Sequence, residues 1–258
     1  MMLRIPAGNP SPWTGPEGNN TYLLPGALPA LVDAGVGVPA HLDAVARALG
    51  ESPLARVLIT HSHPDHVGGV PGLLARWPEA DVRNYPPDRC RDAEIIAGGD
   101  TRLVALHTPG HAPDHFCFFD EQTRDLYCGD LARRGGTIVV PASKGGNLAE
   151  YLASLRRIRE LAPARLLPGH GPIIEDVLEL IDEYLKHRAE REQQVLEALQ
   201  SGCETIAQLV GRIYSGLHPS VVPAAADSVL AHLIKLRDEG RVVQLANDRW
   251  LVARGTST

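Results

Sequence analysis

The segment Thr60-His61-Ser62-His63-Pro64-Asp65-His66-Val67-Gly68-Gly69 constrains this chain more than any other. It places four potential metal ligands in six residues, in the pattern H-x-H-x-D-H. The segment follows Arg56-Val57-Leu58-Ile59-Thr60, a β-branched run that reads as a buried strand, and precedes a helical pattern around Gly72 to Arg76. One histidine at a strand end is usually a packing residue; four candidate ligands there are poorly explained by packing. Three later segments repeat the theme: Thr108-Pro109-Gly110-His111, Cys128-Gly129-Asp130 and Leu167-Pro168-Gly169-His170-Gly171. Each sets a potential ligand just after an expected strand, and ends of adjacent strands converge on one edge of a sheet. Five of the 11 histidines fall in these segments.

Around these motifs the chain alternates short strands and helices, as an α/β fold should. Further strands are expected at Val82 to Tyr85, Leu103 to Leu106, His115 to Phe119, Leu126 to Cys128, Thr137 to Val140 and Arg165 to Leu167. Leu148, Leu152, Leu155, Ile158 and Leu161 mark one apolar face of a helix over Leu148 to Leu161. After Pro172 the pattern changes. A long helix is expected from about Glu175 to Leu199, and Thr205-Ile206-Ala207-Gln208 has the form of a capping box opening a second. A third should run from Ala224 to Glu239 and stop at Gly240. A hairpin of Val242 to Leu245 and Trp250 to Val252 then completes a winged-helix outline.

The 258 residues allow one large domain or a medium one with an appendage, divided here as 1–175 and 176–258. With no apolar leader and no run long enough to span a bilayer, the expected location is cytoplasmic and no membrane partner is foreseen. Cys90, Cys117, Cys128 and Cys203 lack C-x-x-C spacing and read as reduced, mostly buried thiols; packing is favoured over a ligand role for Cys128. The net charge of −6 argues against a general nucleic-acid binder. Residues 176–258 hold 9 Lys plus Arg against 12 Asp plus Glu, so a grip on duplex DNA is disfavoured even though Arg237, Arg241, Arg249 and Arg254 could form a local patch. A packing, lid or dimerisation role suits this module better, and a homodimer is among the partners it allows.

The histidine and aspartate motifs resemble those of the metallo-β-lactamase superfamily. The resemblance implies a four-layer αββα sandwich with two metals at one edge. His61, His63 and His111 would bind the first metal, Asp65, His66 and His170 the second, and Asp130 would bridge them. Asn9-Pro10-Ser11, Gly18-Asn19-Asn20-Thr21-Tyr22-Leu23 and Gly110-His111-Ala112-Pro113-Asp114-His115 are similar to the β-lactamase-like protein 2 family, which also carries a C-terminal winged-helix-like domain. Imidazole and carboxylate ligands without thiolate suit Zn²⁺, two per chain, with Mn²⁺ or Fe²⁺ as alternatives.

A water shared by two such metals becomes available as hydroxide near neutral pH, and Asp65 is the residue placed to orient it. His115 is divided between a hydrogen bond to a ligand and plain packing, and His107 reads as structural. Arg133, Arg134 and Lys144, in the loop after Asp130, are candidate contacts for an anionic substrate, as His115 is for substrate generally. Ser143-Lys144-Gly145-Gly146 lacks the spacing of a P-loop. The expected activity is metal-dependent hydrolysis of an ester, thioester or phosphodiester, the resemblance adding single-stranded RNA as a substrate. Two readings of other classes are a mononuclear iron persulfide dioxygenase and a winged-helix metal-responsive DNA binder.

Overall fold

The computed structural model describes residues 2–11, 14–84 and 89–253. The first sheet contains β1 (Leu3–Pro6), β2 (Asn20–Leu24), β3 (Ala30–Val32), β4 (Arg56–Leu58) and β5 (Asp81–Arg83), side by side in chain order. β1 to β3 are antiparallel, and β3, β4 and β5 run parallel. Helices α1 (Pro39–Leu49), α2 (Pro64–Val67) and α3 (Val70–Arg76) fill the crossovers between the parallel strands. The second sheet has the order β10-β9-β8-β7-β6, from β6 (Ile95–Gly98), β7 (Thr101–His107), β8 (Phe116–Asp120), β9 (Asp125–Gly129) and β10 (Arg165–Pro168). Helix α4 (Leu148–Leu161) is the crossover that makes β10 parallel to β9.

Strand alternation builds the layers. Tyr22 and Leu24 of β2 point between the sheets with Phe116 and Phe118 of β8 and Tyr127 of β9, while Leu23 faces the outer layer that holds Leu42, Val45 and Leu73 of α1 and α3. Cys117 and Phe119 of β8 and Leu126 and Cys128 of β9 face the opposite outer layer, against Tyr151, Leu155 and Ile158 of α4. The result is the αββα sandwich expected from the sequence. Cys128 therefore packs toward α4, its thiol 3.8 Å from the Ala132 carbonyl.

Helix α5 (Val177–Gln200) joins two cores. Val177, Leu180, Ile181 and Tyr184 extend the outer layer beside α4, whereas Val195, Leu196 and Leu199 belong to a separate core with α6 (Ile206–Ile213), α7 (Val222–Asp238) and the hairpin β11 (Val242–Gln244) and β12 (Trp250–Val252). The Thr205–Gln208 capping box is formed in both directions, and Gly240 turns the chain at φ +72° after α7. The helix, helix, hairpin outline is thus present.

Two expectations are revised. The strand expected at Val82 to Tyr85 is β5, Asp81–Arg83, and Tyr85 lies outside the described residues. Thr137 to Val140 is not a strand. Ile138 and Val140 are buried, as their hydrophobicity demands, but the Ile138 and Val139 carbonyls are taken by the side chains of Arg188 and His111. Gly135 and Gly136, both at positive φ, lead into this segment and Pro141 follows it, so no ladder forms.

Candidate metal centre

All seven residues of the sequence motifs meet at one edge of the sandwich, beyond β4, β7, β9 and β10. Pro64 at the first turn of α2 starts a helix immediately after His63, which turns His66 back over the sheet edge. His111 follows Gly110, at φ +133°, where a Cβ would sit 2.3 Å from the Tyr151 backbone; only glycine lets this loop lie so close to α4. Gly129 plays the same part before Asp130: at φ +47°, its Cβ would meet Thr60 and His115 at 2.7–2.8 Å.

The side chains form two clusters with one shared member. His61 Nε2 and His111 Nε2 lie 2.9 and 3.0 Å from His63 Nδ1. Asp65 Oδ2 lies 3.7 Å from His66 Nε2 and 3.5 Å from His170 Nε2. Asp130 stands between the clusters, with Oδ1 3.2 Å from His170 Nε2 and 3.5 Å from His66 Nε2, and Oδ2 3.5 Å from His111 Nε2. Within each of the sets His61/His63/His111, His61/His66/Asp130 and Asp65/His66/His170, one ligand atom per residue lies within 4.8 Å of the others.

The donor set fits metal ions. His61 Nδ1 is 3.1 Å from Thr60 Oγ1, and His111 Nδ1 donates to the Val139 carbonyl at 2.7 Å, so the proton of each ring is committed away from the centre. Their Nε2 lone pairs both point at His63 Nδ1, an arrangement that a cation at their focus satisfies. Asp130 Oδ1 and His170 Nδ1 are buried without a hydrogen-bond partner. The 3.2 Å approach of His170 to Asp130 Oδ1 is therefore a charge contact, not a well-directed bond.

Electrostatics divides the centre. Burial, reinforced by His66 and His111, pushes His61 well below the usual imidazole value, and burial with His111 lowers His63. Burial also opposes charge on His66, but Asp33 and Asp130 outweigh it and raise that ring well above the usual value. Asp130 is held well below the carboxylate range because His66 and His170 overcome its desolvation.

Asp33 has no place in the sequence motifs, and the motifs of Asn9, Asn19 and Asn20 do not by themselves reveal the roles the fold gives them. Asp33, buried at the end of β3 with φ +59°, accepts from His66 Nδ1 at 2.7 Å and from the Thr60 amide at 2.8 Å. A carboxylate directly after an apolar strand was the available signal. Asn19 donates to Asp65 Oδ2 at 3.0 Å and is itself gripped by Asn9, so the Asn9 and Gly18-Asn19 motifs serve to hold Asp65. Asn20 Nδ2 donates to the Pro168 and Gly171 carbonyls on either side of His170.

The candidate substrate contacts are placed unequally. His115 is completely buried behind the centre. Its Nε2 accepts from the Asp130 amide at 3.1 Å and its Nδ1 faces Thr108 Oγ1 at 2.9 Å, with burial pushing its pKa down to about 3. It positions Asp130 and does not face substrate, which corrects that expectation. Lys144 lines a cleft of about 750 Å³ beside His63, with Ser62, Asp92, His107, Ala112, Pro113, Asp114 and Phe116 also in its walls. Neither Arg133 nor Arg134 lines this cleft: the Arg133 amide donates to Tyr184 Oη, and the Arg134 guanidinium pairs with Asp176. On the winged-helix module Arg237 pairs with Asp238, Arg241 with Glu192 and Glu239, and Arg249 with Glu204, so these three arginines do not make an uncompensated basic patch. Arg254 lies outside the described residues.

Comparison with known proteins agrees with this architecture. The model of the metallo-β-lactamase superfamily matches residues 14–89 and 79–170, and that of the β-lactamase associated winged helix domain matches residues 205–250. The β-lactamase-like protein 2 homolog of Caenorhabditis elegans is 33% identical over 260 residues, covering 93% of this chain and 85% of that protein. The atrochrysone carboxyl ACP thioesterase of Aspergillus chevalieri is 32% identical, covering 97% and 86%. Among solved structures, a metallo-β-lactamase family protein from Thermus thermophilus superposes with a TM-score of 0.79 at 27% identity, covering 97% of this chain and 98% of that one. A sandwich with a histidine and aspartate centre on its edge, followed by the associated winged helix, places this chain in the metallo-β-lactamase superfamily of metal-dependent hydrolases, among relatives of β-lactamase-like protein 2.

Proposed function

We propose that the centre holds two divalent ions, with zinc the metal best suited to its donors, and that the chain hydrolyses a small acyl ester or thioester. The observation that carries this reading is Asp130, whose two oxygens face different ligand clusters. His61, His63 and His111 would hold one ion and Asp65, His66 and His170 the other, with Asp130 between them. When bound, such ions supply Lewis acidity toward the scissile carbonyl and a water acidified toward neutral pH.

The chain's own residues do the rest. Asp65 keeps about one-third of its side chain exposed while Asn19 fixes its Oδ2, which suits it to orient the attacking water. His115 keeps the Asp130 main chain in place. Lys144 can receive an anionic group of the substrate at the cleft wall. In the same cleft Asp92 is paired with Arg157 and Asp114 stands against that one lysine, so the walls offer no surplus positive charge to an RNA backbone and leave Phe116 and Pro113 for an acyl chain. The thioesterase among the relatives points the same way. In this reading residues 1–175 form the metal-binding domain and 176–258 a winged-helix-like domain that packs beside the site.

The test is a parallel assay of the metal-loaded protein on acyl thioesters, esters and single-stranded RNA, with Asp65→Ala as control and metal content measured alongside. We expect two zinc ions per chain and thioester hydrolysis that disappears in Asp65→Ala. Retained activity in the variant overturns the role of Asp65; cleavage of RNA alone replaces the thioesterase reading with a nuclease. A single iron per chain overturns the two-ion centre.

A further inference from the structure

Where the winged-helix module meets the sandwich, a pocket of about 210 Å³ is lined by His187, Arg188 and Arg191 of α5, Tyr214 and Ser228 of the module, and the Thr137–Val139 segment beside the metal centre. Arg191 is the i+4 neighbour of His187 and the i+3 neighbour of Arg188, so it stands beside both on the helix surface. Arg188 is only 3% exposed, yet it forms no ion pair among the described residues. Its partners are the Ile138 carbonyl and the face of Tyr151, neither of which carries a negative charge. Arg191 lies over the Tyr214 ring at 4.1 Å and bonds Gln194, again without a carboxylate. The nearby acids are engaged elsewhere, Glu190 with Lys186 and Glu192 with Lys235 and Arg241.

The Nε atoms of Arg188 and Arg191 and Nδ1 of His187 are buried without hydrogen-bond partners. His232 of α7, only 1% exposed, lacks a partner on either ring nitrogen, and its pKa is pushed down to about 3 by burial and then by Arg188, Lys235, Arg191 and His187. A buried guanidinium without a counter-charge is expensive, and such expense is characteristic of binding sites.

We propose that this pocket binds a phosphate group, held by the guanidinium groups of Arg188 and Arg191. Two guanidinium charges match a phosphate dianion, whereas a carboxylate would neutralise only one. Ser228, Thr137 and His187 add polar atoms to the wall. The site stands apart from the reaction chemistry, although the Ile138 carbonyl that Arg188 grips is adjacent to the Val139 carbonyl that holds His111.

Calorimetric titration of inorganic phosphate into the metal-loaded full-length protein tests the pocket, with glycerol 3-phosphate and glycerol as parallel arms. Phosphate should bind, with Kd raised about tenfold or more in Arg191→Met and further in Arg188→Met. Tighter binding of glycerol 3-phosphate than of phosphate identifies the group as part of a larger ligand; equal or weaker binding identifies the free ion. Glycerol should not bind. Arg191 is only partly buried, so Arg191→Met keeps the test decisive if Arg188→Met fails to fold. Phosphate held at the metals instead would be indifferent to Arg191→Met and lost on chelation. That result, or an unchanged Kd in Arg191→Met, overturns the proposal without bearing on hydrolysis.

Discussion

The two halves of the centre are built on different electrostatic plans. The half containing His61, His63 and His111 consists of imidazoles whose outer partners are neutral, a threonine hydroxyl for His61 and a main-chain carbonyl for His111. The half containing Asp65, His66 and His170 has a carboxylate of its own and a second one, Asp33, bonded behind His66. Burial lowers His61 and His63, while carboxylates raise His66. The first half offers imidazole lone pairs, and the second offers negative charge. Thr60 joins them, because its hydroxyl touches Asp33 at 3.0 Å and His61 Nδ1 at 3.1 Å.

The largest way to break this contrast is to remove the member common to both halves. Asp130→Ala should reduce metal content at both positions and lower activity well beyond the roughly 10–100-fold that an outer partner commands. Metal analysis beside steady-state kinetics checks this; two tightly held ions in the variant would show that Asp130 is not shared. A smaller change should separate the halves. Asp33→Asn keeps the shape of the side chain but removes the charge behind His66, so affinity at the second half should fall by roughly 10–100-fold. The first half, which meets Asp33 only through Thr60, should fall less. Stepwise chelation followed by metal titration resolves the two affinities, and equal losses would erase the distinction.

The same contrast explains what could be read from the sequence. The seven candidate ligands are legible because H-x-H-x-D-H, P-G-H and G-D are compact local patterns, and because strand ends converge. Helix α4 is legible through its apolar spacing, with the limits Leu148–Leu161 as expected. Asp33 is not, and Asn19 is visible as a motif but not in its role, since the partner of each lies far along the chain, His66 33 residues from Asp33 and Asp65 46 from Asn19. Strands β1 to β3 span only three to five residues; β2 and β3 are buried throughout and so show no alternation. Thr137 to Val140 misleads for the opposite reason: Ile138 and Val140 alternate into the interior as in a strand, but side chains claim the Ile138 and Val139 carbonyls. Local chemistry was visible, whereas support supplied across the fold was not.

The smallest expected effect concerns the support beneath the second half. His41 of α1 is buried against the first sheet, near Gly35 in the turn that follows Asp33. Thr21 Oγ1 donates to the Ile5 carbonyl and so accepts from His41 Nε2 at 2.8 Å, which leaves His41 Nδ1 buried and unprotonated. Burial lowers its pKa from 6.5 to about 4. Between these values the unfolded chain binds a proton that the folded one refuses, so stability falls as the pH drops through that window and is fully present above it. From pH 6.5 to 5.5 the contribution of His41 is about 1 kcal/mol. Urea denaturation of wild type and His41→Gln at the two pH values isolates this slope from other titrating groups. The wild type should lose more stability than the variant by about that amount; equal losses would mean that His41 does not buttress the Asp33 turn as a neutral ring.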